Sequence, residues 1–185
     1  MGNFYTNYAL PGVTQSTVAA ALAGRPALVS PAVNNVVVVF DDQSDSQDTE
    51  VINALAVELS AKCKCPVLAT MNHDDDVLWY GLFTDGELAD ECNSCPGYFD
   101  DSVESEGPSG GDAAKLAAVF GIANLRAVEK SLRASDDDYT FAIERHTHLA
   151  TALGLPSFVV GGGYSYINDG EVPEGLTLDS LVRTA

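Results

Sequence analysis

The chain has 185 residues, 46% of them apolar, and its 9 lysines and arginines against 27 aspartates and glutamates leave a formal charge of −18. That apolar fraction over this length supports a packed core and excludes global disorder despite the charge, while no stretch approaches the roughly 20 consecutive apolar residues of a membrane span. So acidic a surface repels phosphate backbones, and nine scattered cations form no basic stripe, which argues against nucleic-acid or anionic-membrane binding and toward a basic protein partner.

In chain order, Asn3 to Leu10 alternates Phe4, Thr6, Tyr8 and Leu10 against Tyr5, Asn7 and Ala9, the period of a half-buried strand, and stops at Pro11-Gly12. Thr14 caps a helix through Ala23, with Val18 and Leu22 four apart, that Gly24-Arg25-Pro26 ends. Ala27 to Val33 and Val36 to Phe40 read as strands whose Asn34-Asn35 connection tolerates the positive φ of a tight hairpin. A helix from about Gln47 to Ala61 follows, with Val51, Ile52, Leu55 and Leu59 on one stripe and Asp48 and Glu50 suited to its positive end. Cys65 to Asn72 then completes a strand, helix, strand, strand, helix, strand series, which predicts an α+β fold with a ferredoxin-like βαββαβ core.

Val77 to Thr84 and Glu87 to Ser94, joined by Asp85-Gly86, extend that sheet by a β-hairpin to about six strands. Pro96 to Gly111 is rich in glycine, proline and acid and reads as an exposed loop. Helices over Asp112 to Phe120, Asn124 to Ala134 and Asp138 to Leu153 are expected to cover one face of the sheet, through pairs such as Leu116 with Phe120, Val128 with Leu132, and Leu149 with Leu153. Ser157 to Ile167 reads as a last strand and Leu176 to Val182 as a short helix. The expected organisation is a single domain over 1–185, with a sheet-rich core at 1–95, the loop at 96–111, a helical part at 112–153, and a strand and tail at 154–185.

The most informative stretch is Asn72-His73-Asp74-Asp75-Asp76, between two predicted strands. Contiguous carboxylates repel one another, and a hard cation binding through oxygen relieves that repulsion, with His73 adding a transition-metal preference. The competing reading is a plain turn, since Asp and Asn side chains bond nearby backbone amides. The glycine and distal glutamate of an EF-hand are missing. Asp136-Asp137-Asp138 precedes a helix and reads as an N-cap. Cys63-x-Cys65 and Cys92-x-x-Cys95 resemble a split four-thiolate zinc site. The predicted strand directions put the two pairs at opposite ends of the sheet, so Cys92 and Cys95 instead approach His73, Asp74 and Asp76 as a mixed candidate metal site.

On the last long helix, Arg145 and His146 fall near the apolar face of Ala142, Leu149 and Leu153. Buried polar groups there need partners, and an Arg145 bond to the clustered carboxylates would bring that helix to the His73–Asp76 turn. The plainer expectation has Arg145 snorkelling and His146 on a backbone carbonyl. Trp79-Tyr80 points to both faces of its strand, leaving one ring as a partner anchor. Trp79, Tyr80, Tyr98, Arg145 and His146 are therefore the candidate ligand or partner contacts. Gly161-Gly162-Gly163 lacks the lysine and hydroxyl of a P-loop and suits close packing.

Taken together, Asn3-Phe4-Tyr5-Thr6-Asn7, Cys65-Pro66-Val67-Leu68-Ala69, the run from Asn72 to Leu78, and Pro96-Gly97-Tyr98-Phe99 resemble a group of uncharacterised bacterial proteins of similar length. The resemblance implies a bacterial, cytoplasmic protein and carries no activity. The start of the chain lacks the basic end and apolar stretch of a secretory signal, which gives the same expectation of location. The leading reading is an acidic protein that binds a ligand or partner rather than catalysing a reaction. Its rivals are a metal-dependent, hydrolase-type enzyme that holds a divalent ion at the His73–Asp76 cluster, and an acidic inhibitor of a basic nuclease or toxin. Acidity of this degree also suits solubility in a high-salt cytoplasm.

Overall fold

The computed structural model describes residues 2–99, 102–103, 107–135 and 138–185. Strand β1 (Tyr5–Pro11) leads through α1 (Gln15–Ala21) to β2 (Ala27–Val29) and β3 (Val36–Asp41), and α2 (Thr49–Cys63) leads to β4 (Val67–His73), β5 (Val77–Thr84) and β6 (Glu87–Asn93). Then come β7 (Ser109–Gly110), helices α3 (Ala113–Phe120), α4 (Leu125–Arg133), α5 (Ala142–Ala152) and α6 (Tyr164–Asn168), and β8 (Val182–Thr184). The eight strands form one sheet in the order β7-β6-β5-β4-β1-β3-β2-β8, and every neighbouring pair is antiparallel. An α+β class is therefore correct. No helix among the described residues is long and apolar enough to cross a membrane.

Local chemistry sets the element boundaries. The hydroxyl of Thr14 accepts the Thr17 amide at the start of α1, and the Asp48 carboxylate accepts that of Glu50 at the start of α2. The two hairpin connections expected from sequence take the left-handed backbone that Asn, Asp and Gly tolerate, with φ of 52° and 63° at Asn34 and Asn35, and 53° and 82° at Asp85 and Gly86. β2 ends at Val29 rather than Val33, because Pro31 has no amide to donate and the Ser30 hydroxyl turns back to accept the Val38 amide.

Both faces of the sheet are covered. Tyr8, Leu10, Val37, Val39, Val67, Met71 and Phe83 pack under α1 and α2 against Val18, Leu22, Ile52, Leu55 and Leu59. The alternate residues, among them Ala9, Val38, Phe40, Leu68, Leu78 and Leu82, meet Leu116, Val128, Leu132, Leu149, Leu153 and Phe158 on the other side. Each fully buried Leu or Phe contributes about 1.5–3 kcal/mol, and burial of both faces explains why β1, β3, β4 and β5 are mostly apolar on both sides, the polar side chains of Thr6, Asn7, Thr70 and Asn72 being buried with them. It also corrects the expectation for Trp79 and Tyr80. Neither is an exposed anchor: the rings are 4% and 1% exposed, and their polar tips donate to Glu91 and Asp90.

Other departures have causes both distant and local. The sheet has eight strands rather than about six because Gly110 pairs with Cys92 at one edge and Arg183 with Leu28 at the other. The second of these turns the expected C-terminal helix into a 3₁₀ turn, Leu178–Ser180, followed by β8. Ser157 to Ile167 is not a strand. It forms a 3₁₀ turn (Ser157–Val159) and α6, held against the sheet by buried Asn7, whose amide donates to the carbonyls of Val159 and Gly162 at 2.8 Å each. A Cβ on Gly162 would lie 2.3 Å from the Phe158 carbonyl oxygen, so only glycine fits there. Helix α5 begins at Ala142 rather than Asp138, because the Asp138 carboxylate closes a turn onto Ser135 while Glu144 accepts the amides of Thr140 and Phe141. Asp136 and Asp137 lie outside the described residues.

The sheet's flanks are short. β7 has two residues and β8 three. Along the exposed part of β6, Lys115 Nζ donates to the Ala89 carbonyl at 2.7 Å and the Gly111 amide to that of Glu91 at 2.7 Å.

Candidate functional site

The site grows from the β4–β5 connection. His73 pairs with Val77, so Asp74, Asp75 and Asp76 must reverse the chain. Asp74 and Asp75 take φ of 50° and 61°, and the Asp76 amide donates to the His73 carbonyl at 3.0 Å. That geometry splays the three carboxylates to different neighbours. Asp74 Oδ1 accepts the Gly2 amide at 2.8 Å, and the two oxygens of Asp75 accept the side-chain amides of Asn72 and Asn3 at 2.8 Å each. Asp76 Oδ2 accepts the Tyr98 hydroxyl at 3.1 Å. The carbonyl of Asp75 takes the Ala142 amide at 2.6 Å, which docks the start of α5 onto the turn.

This arrangement does not assemble the mixed metal site. Among the described residues no three His, Cys, Asp or Glu side chains converge as ligands. His73 shares a hydrogen bond of 2.6 Å between Nδ1 and Gln47 Oε1, and its ring is surrounded by those of Phe4, Tyr98 and Phe99. Cys92 faces the buried layer beneath α3–α5, where burial pushes its thiol up to about 11. Cys63 and Cys65 lie at the far end of β4, as the strand directions predict, and burial raises the Cys65 thiol to about 12. No disulfide links the cysteines among the described residues.

What does assemble is a cleft of about 410 Å³ between the turn, the Ser94–Tyr98 segment and the start of α5. Asp76, Cys95, Tyr98 and Arg145, each singled out in the sequence, meet there. Arg145 is only 5% exposed and does not snorkel. Its guanidinium donates to the carbonyls of Ser131 at 3.0 Å and Ala134 at 2.8 Å, and lies 4.8 Å from the centroid of the Tyr139 ring. His146 does not line the cleft. It is buried with Nδ1 2.7 Å from the Tyr5 hydroxyl rather than on a backbone carbonyl, and burial pushes its pKa down to about 4, so the imidazole is neutral at pH 7. Burial also holds the Tyr5 phenol well above its ordinary value.

Three site residues escape the sequence reading. Phe4, Phe99 and Phe141 are 41%, 60% and 52% exposed, and Tyr98 beside them is 39% exposed. His73 lies 4.9 Å from the rings of both Phe4 and Phe99, and Tyr98 lies 5.0 Å from Phe99 at 77°. Phe141 borders the cleft that Tyr98 also lines. The usable signal was the adjacent pair Tyr98-Phe99 in a segment predicted to be exposed. A second cleft, of about 540 Å³, lies between α3 and α4 and carries both signs of charge, Arg126 and Arg133 with Glu129. There Arg133 is engaged by Glu129 and by the carbonyls of Gly110 and Gly111.

Compared with models of known protein families, with curated proteins and with solved structures, the chain matches none.

Proposed function

We propose that this is a non-catalytic binding protein, built on a ferredoxin-like core, that engages a partner through the acidic and aromatic end of its sheet. The core reading is supported by the central order β4-β1-β3-β2 and by α1 and α2 packing on one face, the connectivity of a split βαβ unit. The binding reading is carried by one observation. The chain has seven Phe, seven Tyr and one Trp, and the four of these that are exposed, Phe4, Tyr98, Phe99 and Phe141, all border the His73–Asp76 turn or the adjoining cleft. Aromatic rings grouped at a surface and rimmed by polar groups are the usual anatomy of an interaction site, because they combine large buried area with little rotamer entropy.

The test is affinity capture with the wild-type chain and with Tyr98→Ala/Phe99→Ala. A protein retained by the first and lost with the second, and then shown to bind the purified chain, is the expected result. Identical retained sets would overturn the reading.

A further inference from the structure

We infer that the partner presents an arginine-bearing basic segment to this face, an inference that rests on the binding reading above. Tyr98 and Phe99 meet nearly at right angles, 77° at 5.0 Å, and with Phe4 they surround the His73 ring. Rings held this way offer faces to a flat cation. Beside them, Asp76 is exposed and commits one oxygen, Oδ2, to Tyr98, while Asp74 commits Oδ1 to Gly2. A guanidinium lies flat on an aromatic ring while its N–H edge reaches a carboxylate, which an ammonium cannot do with both contacts at full strength.

The charge of the chain acts in the same direction. A net −18 draws basic segments toward the surface and repels acidic ones, and in sequence Phe99 is followed by Asp100 and Asp101. The cation of Arg145 borders the cleft, yet it is 5% exposed and directed to the carbonyls of Ser131 and Ala134. The incoming guanidinium therefore sits on the outer rim, over Tyr98 and Phe99, rather than on the cleft floor.

The experiment is calorimetric titration of the purified full chain, at near-physiological salt, with a short peptide alternating arginine and glycine. Matched peptides carry lysine or citrulline in place of arginine. The expected result is saturable binding in which arginine exceeds lysine by about tenfold and citrulline does not bind. Phe99→Ala and Asp76→Asn each weaken the arginine peptide by about tenfold, while Asp179→Asn, an exposed acid on the 3₁₀ turn before β8, leaves it unchanged. Unchanged thermal midpoints confirm that the variants are folded.

Equal binding of the arginine and lysine peptides, insensitive to Phe99→Ala, would reduce the effect to diffuse charge and overturn the inference. A concentration-dependent dimer that Phe99→Ala abolishes, with no peptide binding, would replace the basic segment by a second copy of the chain. If affinity capture finds a ring-dependent partner while the arginine peptide fails, the inference falls and the binding reading stands. Failure of both removes both.

Discussion

His146 should make the fold acid-sensitive over a defined window. The imidazole is 1% exposed, hydrogen-bonded to Tyr5 at 2.7 Å, and its pKa is depressed by burial to about 4, against about 6.5 in an unfolded chain. Between those values the unfolded state binds the proton and the folded state does not, so folding stability is complete above about pH 6.5 and is lost as the pH falls toward 4. Integrating the linkage from pH 7.5 to 4.5 gives a loss of about 2.5 kcal/mol from this one group.

Urea unfolding across that range, compared with His146→Gln, isolates the effect, because Gln keeps a polar partner for Tyr5 but does not titrate. Asp45 works in the opposite direction, since burial raises its carboxyl and favours the folded state as acid is added. That contribution is common to both proteins and cancels. The wild type should lose about 2.5 kcal/mol more than the variant between pH 7.5 and 4.5. Parallel stability curves, or an NMR titration of His146 with a midpoint near 6.5, would refute the reasoning.

Arg25 holds the fully buried Asp41 through two hydrogen bonds of 2.5 and 2.8 Å, so Arg25→Gln should cost about 3–5 kcal/mol by leaving a buried charge uncompensated, measured by denaturant unfolding at pH 7. Gly162→Ala drives a Cβ toward the Phe158 carbonyl and the Phe40 ring and should cost at least about 2 kcal/mol, visible as a lowered thermal midpoint. Calcium, magnesium, manganese or zinc should leave the midpoint of chelator-treated protein unchanged, since the turn's carboxylates are directed to separate partners. An ion whose stabilisation disappears with Asp74→Asn would restore the metal-site reading.

Much of the framework was written locally. Asn34-Asn35 and Asp85-Gly86 carry two of the hairpins through their own backbone preferences, and the apolar spacing of α2 survives almost unshifted, as Thr49–Cys63. The end of β2 and the start of α5 were missed on local hydrogen bonds, while the larger failures involve partners distant in sequence. Nothing within 157–167 announces that Asn7, more than 150 residues earlier, claims the carbonyls of Val159 and Gly162 and bends the chain away from a strand. Nothing in the tail announces β2 as its neighbour. The site shows the same division. Strand direction was enough to bring Cys95 to the Asp76 end of the sheet, whereas the docking of α5, and with it Arg145, onto the same cleft could not be read from it. The fate of Asp74 and Asp75 depended on Gly2, Asn3 and Asn72, whose side chains and amides could be aimed only once β1 lay beside β4.

The short flanking strands bear on how the molecule tolerates crowding. A sheet is an open template wherever a border strand exposes a long ladder of amides and carbonyls, and such borders recruit further chains into fibrils. Here one border offers three residues and the other two, and on β6 the Ala89 and Glu91 carbonyls are occupied by Lys115 and Gly111. Lys115 and the two short flanking strands thus leave little of the sheet's hydrogen-bonding ladder open to pairing with a further strand.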